Sequence, residues 1–356
     1  MINQIIEPTL VIDKKKCLSN ISKMTLKASS NNLIFRPHFK THQSRKIGEL
    51  YRNFGISKIA VSSISMAKYF SEAGWTNITV AFPLNPRELD KINNIPHEVQ
   101  LNLTVENIEA IDLVCGRLTR DINAFIKIDA GYHRTGIDYD NFSEISTIIS
   151  RIEKTDRIKL LGFLIHSGQT YNCHNRNEVL AVHYESLKRI KILKNHYTQK
   201  YPDLIVSYGD TPSCSIANDF SCIDEIRPGN FVYYDLMQEQ IGSCSLDEIA
   251  VAVACPIVAK HHLRKQIVIH GGAVHFSKEY MMKNGRKIWG KAVHFNSENW
   301  EVFEDENNLI SLSQEHGILE IGQIDELDNF SIGDLVFLLP VHSCLAANLL
   351  KNTLII

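Results

Sequence analysis

The sequence predicts a (β/α)8 barrel followed by a second, mostly β domain. Three observations lead there. From about residue 33 to 231, short β-rich runs alternate with helix-like stretches, which requires parallel strands joined by helical crossovers. No GxGxxG follows the first of these runs, so the dinucleotide-binding form of the competing open sheet has no support. After about residue 245 helical periodicity gives way to strands and turns.

In chain order, the barrel strands are read in LIFRPHFK, KIAVSS, NITVAF, VQLNLT, AFIKID, KLLGFLIH, LIVSYG and IDEIRPGNF. Eight parallel strands close naturally into a barrel. The helices are read in HQSRKIGELYRNF, ISMAKYFSEAG, VENIEAIDLVCG and the long EVLAVHYESLKRIKILKNHY. In the last, Val179, Val182, Leu187, Ile190 and Leu193 fall near one face. The connection after LIVSYG, rich in Ser, Pro and Asp, is the weakest helix. EIAVAVACPIVAKHH, KQIVIHGGAV, KAVHF, WEVFED and DLVFLLPVHSC read as strands of the β domain, which PTLVID at 8–13 can join. The expected boundaries are 15–245 for the barrel and 246–356, with 1–14, for the β domain.

The net charge of -2 over 356 residues, without a basic stripe, gives no sign of a nucleic-acid partner. No window approaches the roughly 20 apolar residues needed to span a bilayer, and the N-terminus has no signal-peptide pattern. The expectation is a soluble cytoplasmic protein without a membrane partner. Eight scattered cysteines with no CxxC pair are not a disulfide framework.

Lys40 falls at or just past the C-terminal end of the first barrel strand, and Thr41 can cap the helix that starts near His42. That end of a β/α barrel carries the active site. A desolvated lysine there becomes a nucleophilic amine suited to Schiff-base chemistry, although from position alone a lysine that snorkels to solvent is the commoner case. Near the C-terminus, His342 and Cys344 stand two apart on a run read as a strand, so both would point to one face as a half-site for Zn2+.

RPHFKTHQ at 36–43 resembles the RPHxKTHK signature of the D-serine dehydratase/D-threonine aldolase family, which belongs to the alanine-racemase-like, fold-type III enzymes dependent on pyridoxal phosphate (PLP). The likeness recurs in order along the chain. It runs through PTLVID at 8–13, IKIDAGYHRTGI at 126–137, LGFLIHSGQTY at 161–171, YGDTPS at 208–213, EIRPGNFVYYDLMQ at 225–238 and LPVHSCLAANL at 339–349. Met66 stands where the family often has Glu, and Asp210 where Gly or Ser is commoner in the phosphate turn.

The resemblance implies that Lys40 carries PLP and acts as the base at Cα. It implies that Arg134 reaches the cofactor ring, that His166 and Tyr171 pack on it, and that Gly209 and Thr211 take its phosphate, with Tyr234 and Asp235 in the same pocket. An Asp side chain beside a phosphate is unfavourable, so Asp210 is expected to point away. His342 and Cys344 would hold Zn2+, with His316 a further candidate for that pocket. His261, His262 and His294 are given no role. The implied reaction is β-elimination from a small D-β-hydroxy amino acid, D-serine first, by a homodimer. Retro-aldol cleavage as in D-threonine aldolases, racemisation and a non-catalytic PLP carrier are the alternatives.

Overall fold

The structure is a computed structural model that describes residues 2–296, 299–303 and 307–356. The chain divides into two compact units, one of Ser22–Gly229 and one of Met1–Ile21 with Asn230–Ile356. The sequence placed the upper boundary at 245. The segment from Asn230 folds instead with the second unit, where Ala250 N–H donates to Tyr233 O and Met237 N–H to Val341 O.

The first unit is the expected parallel barrel. Its strands are Ile34–Phe35, Lys58–Val61, Asn77–Pro83, Gln100–Val105, Ile122–Asp129, Ile158–Ile165, Ile205–Tyr208 and Glu225–Ile226. From Lys58–Val61 on, each pairs in parallel with the next, and the last pairs in parallel with Ile34–Phe35. The remaining gap closes through a parallel bridge of His38 with Ala60, where Phe39 N–H donates to Ala60 O at 2.8 Å and Ala60 N–H to Pro37 O at 2.9 Å.

The crossover helices start on side-chain caps that follow the strands closely. Ser44, Ser63, Asn107 and Asn175 accept from the N–H groups of Ile47, Met66, Ala110 and Glu178, satisfying donors that a helix start leaves free. The first helix therefore begins at Arg45 on Ser44, not near His42 on Thr41; Thr41 is fully buried in the preceding turn. The long helix Arg176–Thr198 turns His183 inward where the periodicity suggested Val182, because His183 Nε2 meets Asp219 O at 2.7 Å and Nδ1 meets Tyr208 Oη at 3.2 Å. Asp210 caps the six-residue helix Thr211–Ile216, its Oδ1 accepting from Ser213 N–H and from Thr170 Oγ1 at 2.9 Å.

The barrel is polar inside. Arg36 Nε donates to Glu225 Oε2 at 2.8 Å and its Nη1 to Asn77 Oδ1 at 2.6 Å. Ser207 Oγ donates to the other Glu225 oxygen and accepts from Arg227, whose Nη2 donates to Ile165 O at 2.7 Å. Asn102 and Asn123 extend the polar layer through a 2.8 Å bond.

In the second unit six strands close into an antiparallel barrel. They are Val251–His261, Gln266–His270, His316–Glu320, Asn308–Leu312, Gly290–Phe295 and Leu335–Pro340, which returns to Val251–His261. Closure leaves these strands no open edge. Thr9–Ile12 adds antiparallel to Val251–His261, and Thr353–Ile355 adds parallel beyond it. Burial of Leu10, Val11 and Ile12 contributes about 1.5–3 kcal/mol each. The run WEVFED forms the strand Trp300–Val302, and its end, Glu304 and Asp305, lies outside the described residues. Two short helices, Ala273–Phe276 and Ser343–Leu349, interrupt what the sequence read as strand.

Two predictions follow from the barrel's polar interior. Glu225→Ala strands Arg36 and Ser207 without their acceptor, so it is expected to lower unfolding free energy by about 3–5 kcal/mol, read by urea denaturation. A loss under about 1 kcal/mol would mean that the pair does not hold the strands together. Burial raises Asp210 to about 6, above its unfolded value. Between roughly pH 4 and 6 the folded state then binds more protons than the unfolded one, so this group's contribution to stability falls as pH rises through that window. Asp210→Asn keeps a capping oxygen without a charge. Its melting temperature relative to the native chain should therefore rise from pH 4 to pH 6.5, and a pH-independent difference would contradict the assignment.

Candidate active site

Because the eight barrel strands of the first unit run parallel, the residues just past their C-terminal ends collect on one face. Lys40 follows the first strand, Arg134 lies past the end of Ile122–Asp129, and His166 and Tyr171 follow Ile158–Ile165. Gly209 and Thr211 follow Ile205–Tyr208. Lys40 is exposed, so the burial that the sequence argument used to activate it is not seen; its backbone N–H donates to His38 Nδ1 at 3.3 Å. His38 and His166 both lie close enough to Lys40 to feel its charge. Desolvation first, and Lys40 second, push both imidazoles well below their usual pKa, which leaves them neutral near pH 7.

His166 Nδ1 meets Gly209 O, and the ring sits edge-on to Tyr132 and 6.3 Å from the ring of Tyr171. Arg134 is exposed and stacks over Tyr132 at 4.8 Å. It does not pair with Asp129, whose carboxylate instead accepts from the N–H groups of Gly131, Tyr132 and His133 at 2.7–2.8 Å. The charge of Arg134 is felt at both His166 and Lys127.

Sequence reading missed Lys127, Arg227 and Gly229. Lys127 is buried on the strand Ile122–Asp129, and desolvation, then the nearby Arg227, lowers it to about 7. Its position in an apolar-looking run, IKID, was the available signal. Gly209 and Gly229 bring main chain close to main chain. A Cβ on Gly209 would stand 3.0 Å from Arg227, and one on Gly229 would stand 2.9 Å from His38 O. Gly229 N–H faces Thr211 Oγ1 at 3.3 Å, and Thr211 N–H faces Tyr171 Oη at 3.2 Å. The strand ends thus gather an amine, two guanidinium groups, main-chain N–H donors and hydroxyls. This donor set fits an anionic aldehyde cofactor such as PLP, with the N–H groups and Thr211 on the phosphate side. A separate concavity of about 1070 Å3, bordered by Gln100, Asp121, Asn123, Arg157 and Lys159, opens at the strands' N-terminal ends, away from this chemistry.

Tyr234 and Asp235 belong to the second unit. Asp235 caps the helix Leu236–Ile241, its Oδ1 accepting from Gln238 N–H at 3.0 Å. Its Oδ2 accepts from Ser343 N–H at 2.9 Å, Ser343 Oγ at 3.1 Å and Asn230 Nδ2 at 2.6 Å. Both oxygens are engaged in positioning main chain, and a carboxylate so held does not take a phosphate.

The same contacts explain why His342 and Cys344 do not share a strand face. The strand ends at Pro340, Asp235 captures Ser343 N–H, and the chain turns into the helix Ser343–Leu349 with His342 at its N-cap. The turn still brings the two side chains together. Burial opposes the charged imidazole of His342, but hydrogen bonds to Cys344 and Glu279 raise its pKa. Asn230 Nδ2 donates to Cys344 Sγ at 3.4 Å. Imidazole and sulfur on one corner form a donor pair suited to a borderline-soft divalent ion such as Zn2+. His316 is exposed and lies across the ladder from His270. All eight cysteines are free. No described helix is long and apolar enough to cross a membrane.

Comparison with known proteins agrees with this fold. Residues 12–236 match the family described as "Alanine racemase, N-terminal domain", and residues 250–356 match "Putative serine dehydratase domain". The chain is 27% identical to a D-serine dehydratase of Dictyostelium discoideum over 99% of this chain and 93% of that one. Its fold matches D-threo-3-hydroxyaspartate dehydratase from Delftia sp. HT23 with a TM-score of 0.89 at 22% identity, covering 99% and 96% of the two chains. A cysteine-to-alanine variant of that enzyme is known in a metal-free form. D-threonine aldolase from Filomicrobium marinum matches with a TM-score of 0.82 at 18% identity, over 96% and 88%. The dehydratases among these relatives are lyases. The chain belongs to the alanine racemase N-terminal domain family, in the form that carries a putative serine dehydratase domain behind the barrel.

Proposed function

We propose that this chain is a PLP- and Zn2+-dependent lyase that eliminates water from a small D-β-hydroxy amino acid, D-serine first, to give an enamine that water then hydrolyses to a keto acid and ammonia. The observation that carries the reading is Lys40 at the C-terminal end of the first barrel strand, beside two neutral imidazoles and near a cluster of buried and exposed cations. The names of the full-length relatives support the reaction class. When bound, PLP would supply an electron sink for charge at Cα, and a divalent ion would supply Lewis acidity toward the β-oxygen.

The chain's own residues would do the rest. Lys40 Nζ would anchor the cofactor and would serve as the base that takes the Cα proton. His38 and His166, kept neutral by burial and by Lys40, do not repel a cationic amine beside them. The guanidinium of Arg134 would stabilise negative charge at the cofactor ring. Gly209, Thr211 and Gly229 would hold the phosphate through N–H and hydroxyl donors. His342 Nε2 and Cys344 Sγ would ligate the ion, and Asn230 Nδ2 would support the sulfur as thiolate. A cytoplasmic homodimer is part of the same proposal.

The test is an assay of purified protein with PLP and Zn2+ on D-serine, D-threonine and D-3-hydroxyaspartate, reading keto acid, ammonia and aldehyde. Pyruvate and ammonia from D-serine are expected. Glycine and acetaldehyde from D-threonine, with no keto acid from D-serine, would assign retro-aldol cleavage instead. Lys40→Ala is expected to lose the near-visible cofactor band on dialysis and at least roughly 10²–10⁴-fold of turnover. Borohydride fixation of PLP to another lysine would overturn the anchor. His342→Ala and Cys344→Ala are each expected to lose bound zinc and most turnover while keeping that band, and full activity after exhaustive chelation would remove the metal from the reaction.

A further inference from the structure

His342 meets the rest of the second unit through a carboxylate that nothing in the sequence pattern singled out. Its Nδ1 is hydrogen-bonded to Glu279 Oε2, 63 residues earlier in the chain. Glu279 is set in place by the turn that ends the short helix Ala273–Phe276. Ser277 takes φ 70°, a conformation that a side chain disfavours, and its Oγ accepts Glu279 N–H at 3.1 Å. The backbone before it is held to the 313–315 turn. Gly271 N–H donates to Glu315 O and Ala273 N–H to Ser313 O, both at 2.8 Å. Glycine is required there, because a Cβ on Gly272 would stand 2.2 Å from Gln314 O. The carboxylate is therefore delivered to His342 by a braced turn.

An imidazole that ligates a metal through one nitrogen carries its proton on the other, and the acceptor of that proton decides which nitrogen is free. We propose that Glu279 is the positioning residue of the metal corner: it takes the Nδ1–H of His342 and so leaves Nε2 as the ligand atom beside Cys344 Sγ. This rests on the reading of His342 and Cys344 as metal ligands. Glu279 touches neither the ion nor the substrate in this assignment. It orients the ring, prevents the two nitrogens from exchanging places by rotation about χ2, and raises the basicity of Nε2. Cys344 has its own support in Asn230, so loss of Glu279 weakens one ligand of two.

The test uses PLP-loaded, metal-stripped protein as the native chain, Glu279→Ala and Glu279→Gln. Zn2+ affinity is read by competition with a chromogenic chelator, and the visible spectrum of the Co2+-loaded form reports on the sulfur–metal bond. Glu279→Ala is expected to bind Zn2+ 10–100-fold more weakly with an unchanged PLP band. Glu279→Gln, whose carbonyl oxygen can still accept from Nδ1–H, is expected to recover most of that loss, and both variants are expected to keep the sulfur-to-cobalt band at saturating Co2+. A Glu279→Ala affinity within 2-fold of native overturns this inference alone. Glu279→Gln as weak as Glu279→Ala, with altered cobalt bands, would make the carboxylate a direct ligand and overturn the positioning role. Failure of the native chain to bind Zn2+ would overturn the metal reading and this inference together.

Discussion

The buried ion pair of Arg36 with Glu225 is the constraint on which the barrel depends. The first and last strands are each only two residues long by their ladder, Ile34–Phe35 and Glu225–Ile226, too short for main-chain bonds alone to define closure. Side chains do that work from inside. Arg36 reaches the last strand and, through Asn77, the third; Glu225 reaches the seventh through Ser207; Arg227 continues to the sixth through Ile165 O. Two charges removed from water cost several kcal/mol each, and only a network that satisfies nearly every donor makes that cost tolerable. The return is register: a slip by one residue would turn Arg36 and Glu225 out of the barrel and leave their partners unmet.

Register at this seam decides where the chemistry stands. Lys40 is four residues beyond Arg36, and the bridge of His38 with Ala60 fixes the segment between them. The same seam places His38 O against Gly229 and Arg227 against Gly209, so the two glycines of the proposed phosphate cradle owe their close packing to strand closure. The desolvation of His38 and His166 belongs to the same enclosure. It keeps both imidazoles neutral.

In the second unit a carboxylate plays the comparable part. Asp235 joins a helix start to a strand end 108 residues away and bends the chain at Ser343. That bend, with Asn230 on one side and Glu279 on the other, converts an H-x-C spacing into a corner where imidazole and sulfur meet. Each of these two side chains is held by a hydrogen bond, Cys344 by Asn230 and His342 by Glu279.

Much of this was legible in the residues. Strand–helix alternation named the eight barrel strands, because parallel strands need crossovers and crossovers need helical periodicity. Lys40 was placed by its strand end and the family resemblance added His166, Gly209 and Thr211; the parallel topology brings all four to one face, since every strand end of a parallel barrel points the same way. Other features lay beyond any local pattern. Lys127, Arg36 and Glu225 sit in runs that look apolar or unremarkable, and only closure shows that they face one another inside the barrel. Asp235 read as a phosphate-pocket residue, and HSC as a strand, because the partner that defines both is far away in sequence. Glu279 carried no signal, as its spacing to His342 has no periodicity. What the sequence determined by itself was the order of elements and the chemistry available at their ends, which depend on near neighbours. What the tertiary structure decided was which charges are buried together and which nitrogen of His342 meets Glu279, because those follow from contacts between residues tens to hundreds of positions apart.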